Sequence, residues 1–276
     1  MNFSLQRIAG KSMKIAALAL AISLPLSAHA HRQWLLPSAT VLSGNDAWVT
    51  VDAAVSNDLF YFEHFPLRLD GLVVTAPDGK PAQAVNAATG KYRSTFDVQL
   101  SQPGTYKIAV VNNGVFASYK VDGQQKRWRG AAEALAKEIP ANAQELKVTQ
   151  VNSRVETFAT AGKPTRAALG ITGSGLELQP VTHPNDLVAG DTASFQLLLD
   201  GKPAPGLEVD VVPGGIRYRD KLLETKLKTD AEGKFSIKWS GAGMYWLEAS
   251  VTDQKTTLPQ AGQRRASYIA TVEVLP

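Results

Sequence analysis

From residue 47 onward the chain is written in short stretches of alternating apolar and polar residues, interrupted by Gly, Pro, Asn and Asp. Alternation at every second residue turns one side of a stretch toward a core and the other toward water, which is the pattern of a β-strand. Residues 47–55 (AWVTVDAAV) show it plainly, and 67–75, 92–100, 105–111 and 115–121 follow at short intervals. Pro77-Asp78-Gly79, Gln102-Pro103-Gly104 and Asn112-Asn113-Gly114 lie between them as turn signals. Asn113-Gly114 between two apolar runs predicts a hairpin. Residues 130–138 (GAAEALAKE), closed by Pro140, predict a short helix, and 146–159 return to strand character. After breaker-rich ground at 160–175, seven more strands are expected, at 176–181, 192–199, 207–212, 222–229, 234–239, 244–251 and 267–274. Two short echoes link the halves. Asp78-Gly79-Lys80-Pro81 matches Asp200-Gly201-Lys202-Pro203, and Gly104-Thr105-Tyr106 matches Gly243-Met244-Tyr245. A Tyr at that position can close a sandwich by bonding its hydroxyl to nearby backbone. The expectation is an all-β chain of two related sandwich domains in tandem, 31–165 and 166–276, with a short helix near 130–138.

The first thirty residues follow a different logic. Arg7, Lys11 and Lys14 precede the apolar run Ile15 to Leu26, and Ala28-His29-Ala30 offers small residues at a cleavage site. This is the layout of a secretory signal peptide, and the run is too short to span a bilayer. No later stretch is long and apolar enough to do so. The expected mature chain starts at His31 and is periplasmic in a cell with two membranes. Removing the three basic residues of this segment from a total of 29 leaves 26 against 25 acidic residues. A nearly neutral mature chain gives no reason to expect nucleic acid or a membrane surface as partner. There is no cysteine, which excludes disulfides, thiolate metal sites, iron–sulfur clusters and a Cys nucleophile.

Without thiolates, any transition-metal site rests on imidazole, and three histidines follow the signal: His31, His64 and His183. Cleavage after Ala30 would put an α-amine and an imidazole in one residue, able to chelate through Nα and Nδ1. The amine titrates near neutrality, at about 7.7–8.0, so it is available as a ligand. One further imidazole would complete a T-shaped three-nitrogen site. Cleavage after Ala28 would instead leave His29-Ala30-His31, which suits square-planar Cu or Ni. His64 lies in Phe60-Tyr61-Phe62-Glu63-His64-Phe65-Pro66. If that run is extended, Phe60, Phe62 and His64 share a face, with Glu63 or Asp58 as a ligand or supporting partner. His183, before Pro184, fits either a turn or a ligand reaching across from the second half. Lys126-Arg127-Trp128-Arg129 is expected as a solvated turn with Arg on Trp128. Gly173-Ser174-Gly175 has the spacing of neither a nucleophile elbow nor a phosphate loop, and no HExxH or EF-hand motif occurs.

A wider resemblance is carried by His31-Arg32-Gln33-Trp34-Leu35-Leu36-Pro37 directly after the signal. It continues through the Gly-Leu-Glu-Leu-Gln-Pro-Val-Thr-His-Pro run at 175–184, Ala189-Gly190-Asp191, Leu199 to Pro203, and Thr229 to Lys234. Together these resemble the periplasmic family known as domain of unknown function 4198. Members were once described as the substrate-specific component of nickel uptake. The resemblance implies two immunoglobulin-like or prealbumin-like β-sandwich domains and a role in transition-metal uptake.

The expected function is therefore a non-enzymatic metal-binding or metal-uptake accessory protein. Its ligands would be His31, His64, His183 and Glu63, and its cargo one Cu, Ni, Co or Fe ion. An outer-membrane receptor or an inner-membrane transporter would be its partner. The alternative is a tandem β-sandwich interaction module of the cell envelope with no metal site. A third reading, a copper-brace redox enzyme, requires a flat aromatic face around His31.

Overall fold

The computed structural model describes residues 31–44 and 46–276; the expected export signal lies outside the described residues. The strands are β1 (Arg32–Pro37), β2 (Val41–Leu42), β3 (Trp48–Ser56), β4 (Phe65–Pro66), β5 (Leu72–Thr75), β6 (Pro81–Ala82), β7 (Ala84–Thr89), β8 (Ser94–Gln99), β9 (Gly104–Val121) and β10 (Gln124–Gly130). The helix α1 (Ala132–Glu138) follows. Then come β11 (Gln144–Ala161), β12 (Leu176–Pro180), β13 (Thr192–Leu199), β14 (Lys202–Pro203), β15 (Glu208–Pro213), β16 (Thr225–Lys228), β17 (Lys234–Lys238), β18 (Gly243–Asp253) and β19 (Gln263–Val274). The chain is all-β, as its alternation requires. Among the described residues no helix is long and apolar enough to cross a membrane.

Among the described residues the strands form three sheets. A five-stranded sheet runs β1-β3-β8-β7 with β4 beside β3, and a four-stranded sheet runs β12-β13-β14 with β17 beside β13. Between them lies a ten-stranded sheet in the order β16-β15-β18-β19-β11-β9-β5-β6, with β10 on β9 and β2 on β11. This central sheet is shared. Trp34, Val51, Phe96 and Val98 of the five-stranded sheet pack with Ile108, Val155 and Ala159 on one of its faces. Phe195, Leu197 and Phe235 of the four-stranded sheet pack with Phe158, Leu247 and Tyr268 on the other. Neighbouring residues therefore enter different cores. Trp246 and Ile269 join the first core, while Leu247 and Tyr268 join the second. A strand covered on both faces loses its polar alternation, and the unbroken buried run 153–161 of β11 follows from that. Strands from both halves of the sequence, β9 and β11 from the first and β15, β18 and β19 from the second, build this one sheet. β11 pairs in parallel with β19, from Thr149 opposite Gln263 to Thr157 opposite Thr271.

Local signals explain most of the turns. Asp200 and Gly201 both have positive φ, 52° and 74°, and join β13 to β14 as a two-residue hairpin. The two echoed tyrosines play the same part. The Tyr106 hydroxyl accepts from the Gln102 N–H at 2.9 Å, and the Tyr245 hydroxyl donates to the Gly241 carbonyl at 2.9 Å. α1 buries Leu135 against Val115, Ala117 and Val148.

Three expectations need correction. Asn113-Gly114 is no hairpin: β9 runs straight through 104–121, because β11 offers it a partner along its whole length, with Asn113 opposite Asn152. Pairing in the sheet overrides the local preference. The hairpin lies instead at Asp122-Gly123, with φ of 50° and 74°, between β9 and β10. Lys126 to Arg129 lie within β10, not in a turn, and the Trp128 indole donates to the Glu138 carboxylate of α1 at 2.7 Å. Residues 60–64 are not extended: Phe60 adopts φ 63° and folds the run back on itself.

Candidate functional site

The first described residue, His31, leads directly into β1, and β1 is held at its start. Arg32 Nη1 donates to the Asn57 carbonyl at 3.0 Å. The buried Trp34 indole donates to Ser56 Oγ at 2.8 Å, and that hydroxyl donates to the Asp58 carbonyl at 2.6 Å. From the second half, the Trp246 indole donates to the Gln33 carbonyl at 2.9 Å. The loop that follows β3 is thereby tied to the strand that follows His31.

The same loop is folded by its own side chains. Glu63 Oε1 accepts from the N–H groups of Asn57 and Asp58, both at 2.8 Å. The bend at Phe60 sends Phe60 and Phe62 to Trp34, with ring centroids 5.6 and 5.5 Å away. The Arg93 guanidinium lies over the Phe62 ring at 4.3 Å, and Arg217 lies over Tyr61 at 3.8 Å. With Phe60 and Phe62 anchored inward, His64 is left on the outside, above His31. The two imidazoles stack with centroids 3.8 Å apart and planes inclined by 19°. Phe65 closes one side, 4.6 Å from His64 and 5.9 Å from His31. Both histidines and Phe65 are exposed.

This arrangement brings two of the expected ligands together. Imidazole lone pairs lie in the ring plane, so two nearly parallel rings cannot both aim at one ion, and a shared ion requires one exposed ring to turn about its side-chain torsions. Glu63 is next to His64 in sequence, but its Oε1 is engaged with the loop backbone. Its part is to shape the loop that carries His64.

His183 stands apart. It is 6% exposed; its Nε2 donates to the Thr165 carbonyl at 3.0 Å and lies 3.0 Å from Thr105 Oγ1. Its Nδ1 accepts from the Asn185 N–H at 3.1 Å. Both nitrogens are engaged, so the ring has no lone pair to offer a metal. It pins β9 to the segment after β11 and to the turn at 183–186. Burial holds its pKa below the ordinary imidazole value. Among the described residues no cluster of three or more His, Asp or Glu side chains is placed to hold an ion.

Sequence reasoning missed Trp34, Arg93 and Trp246 as the residues that set the geometry. No local signal marks them, since each acts through a partner far away in the chain.

A comparison with curated proteins finds no match. Among solved structures, the D0-D1 domain of intimin aligns over 88% of this chain and 97% of its own, with 13% identity and a TM-score of 0.23. The human OSCAR ligand-binding domain aligns over 89% and 100%, with 12% identity and a TM-score of 0.19. At such scores these likenesses say nothing about what this chain does. The family model described as domain of unknown function (DUF4198) matches residues 28–253, and the chain belongs to that family.

Proposed function

We propose that the protein is a non-enzymatic, exported transition-metal-binding protein whose metal is held at His31 and His64. The observation that carries this reading is the exposed stack of these two imidazoles, 3.8 Å apart, at the start of the expected mature chain. The donor set fits the group. Cleavage after Ala30 adds the α-amine of His31 to its imidazole, and His64 brings a third nitrogen. An all-nitrogen, cysteine-free set suits Cu(II) or Ni(II). His31 would anchor the ion through amine and ring, His64 would complete the set after a ring rotation, and Glu63 would keep the His64 loop in shape. Such a protein binds and hands over an ion, with an envelope receptor or transporter as partner.

The test is calorimetry of mature chain starting at His31, with Cu(II) and Ni(II). The expected outcome is one equivalent of either ion bound below micromolar Kd. His64→Ala, or one extra Ala before His31, should weaken binding by about a hundred-fold, or ~2.7 kcal/mol. His183→Gln should leave the affinity as it is. Absence of binding, or unchanged affinity in His64→Ala, overturns the reading.

A second reading, an interaction module, draws support from the loop after β15. There Arg219 donates to the carbonyls of Pro213, Gly214, Lys221 and Leu222. The braced loop holds Tyr218 and Leu223 in solvent, 88% and 58% exposed.

A further inference from the structure

The histidine pair makes no use of Asn112-Asn113-Gly114, in the middle of a long strand, or of the glycine-rich segment 170–175, whose Gly173 and Gly175 turn the chain at φ of 76° and 70°. Asn and Gly are poor choices inside a strand. Local rules broken inside an element mark places where a chain can serve function. Both features line one cavity of about 230 Å³. Asn113, Asn152 and Arg154 form its floor, Thr172 and Ser174 its wall, and Leu176 contributes apolar surface.

The wall is a braced strap. Lys107, 8% exposed, donates through Nζ to the Gly170 carbonyl at 2.6 Å. Glu177, 2% exposed, accepts from the N–H groups of Thr172, Gly173 and Ser174 at 2.8, 2.7 and 3.2 Å. Behind the floor, Arg154 Nη1 donates to Glu156 at 3.1 Å, while its Nη2 donates to Thr172 Oγ1 at 3.2 Å and lies 3.4 Å from Glu177. The other Glu156 oxygen accepts from the Tyr268 hydroxyl at 2.8 Å. Burying four charged side chains is costly, and they hold a rigid, preorganised wall rather than fill a core.

The chemistry of the cavity narrows its ligand. Arg154, the charged side chain that lines the cavity, is already paired with Glu156 and Glu177 behind it, so neither an anion nor a cation gains from entering. The Asn152 amide donates to the Asn113 carbonyl oxygen at 2.9 Å. That bond leaves the Asn113 NH₂ and the Asn152 carbonyl as a donor and an acceptor side by side, and Ser174 lines the same cavity. Hydroxyl groups, which donate and accept at once, match this edge. The volume is below that of a drug-sized pocket. We propose that this cavity binds a small neutral polyhydroxylated molecule of monosaccharide size, independently of the histidine pair.

The test is titration of ¹⁵N-labelled mature protein with D-glucose, N-acetylglucosamine and myo-inositol as probes, read at the Asn113 and Asn152 side-chain amide resonances. The expected result is saturable shifts with at least one probe. Asn113→Ala should weaken that binding about ten-fold, and Ser174→Trp, on the exposed strap, should abolish it with the melting temperature unchanged. His64→Ala should leave it intact, which separates this site from the proposed metal site. The proposal is overturned if none of the three probes saturates, if succinate binds more tightly than all of them, or if the Ser174→Trp protein still shifts.

Discussion

A histidine in this fold takes its role from what its two nitrogens touch. His183 has both engaged and is buried, whereas His31 and His64 stack in the open. The difference has a pH signature. Burial, the largest influence on His183, favours the neutral ring, so its folded pKa lies below that of the unfolded chain, about 6.5. The unfolded state therefore takes up this proton first as pH falls. The contribution of His183 to stability is complete above about pH 6.5 and is lost as pH drops from there through the folded value. His183→Gln should lower the urea-unfolding free energy by ~1–2 kcal/mol at pH 7.5 and flatten its decline between pH 7.5 and 5.5, measured side by side with the parent chain. At this scale the sequence marked His31 and His64 as expected ligands of one ion. It could not reveal how the two rings would meet. That encounter depends on the left-handed turn at Phe60 and on Trp34 receiving two aromatic rings, and neither has a local signature. His183 next to Pro184 read more readily as a turn residue than as a ligand, and its neighbours bear out the turn.

Strands were readable as elements, because alternation and punctuation are local, but their partners were not. β3, β13 and β18 lie close to where the pattern placed them, while β9 absorbed a strong turn signal because β11 lies beside it throughout. The parallel pairing of β11 with β19 was invisible, since periodicity says which residues face inward and nothing about which strand lies alongside. Crossing points leave their mark at glycine. Just before β5, the Gly71 carbonyl accepts from the Val111 N–H at 2.9 Å. A Cβ there would fall on the Val111 carbonyl oxygen. Gly71→Ala should therefore destabilise the chain by ~2–4 kcal/mol through displacement of β5 from β9, seen as a lower melting temperature in calorimetry. Gly44, whose added Cβ would meet nothing within 4 Å, is a control only for crowding, because its φ of 105° disfavours any side chain.

At the scale of the molecule, the two sandwiches are legible in the repeated grammar of the sequence, and their common sheet is not. Trp246 shows what sharing does: it comes from the second half, is buried in the first core, and bonds to Gln33. Trp246→Ala should cost ~3–5 kcal/mol. Unfolding of the parent chain should be a single transition in which circular dichroism and Trp fluorescence coincide. Two separated transitions would show that the halves fold alone. The same sheet constrains the order of assembly. The Gln263 side chain bonds to Thr149, 114 residues earlier. Contacts so distant along the chain raise the contact order and slow folding. A chain delivered N-terminus first thus keeps the flank of β11 open until β19 arrives, and through that interval it offers a bare strand edge to whatever chaperone, protease or sister chain it meets.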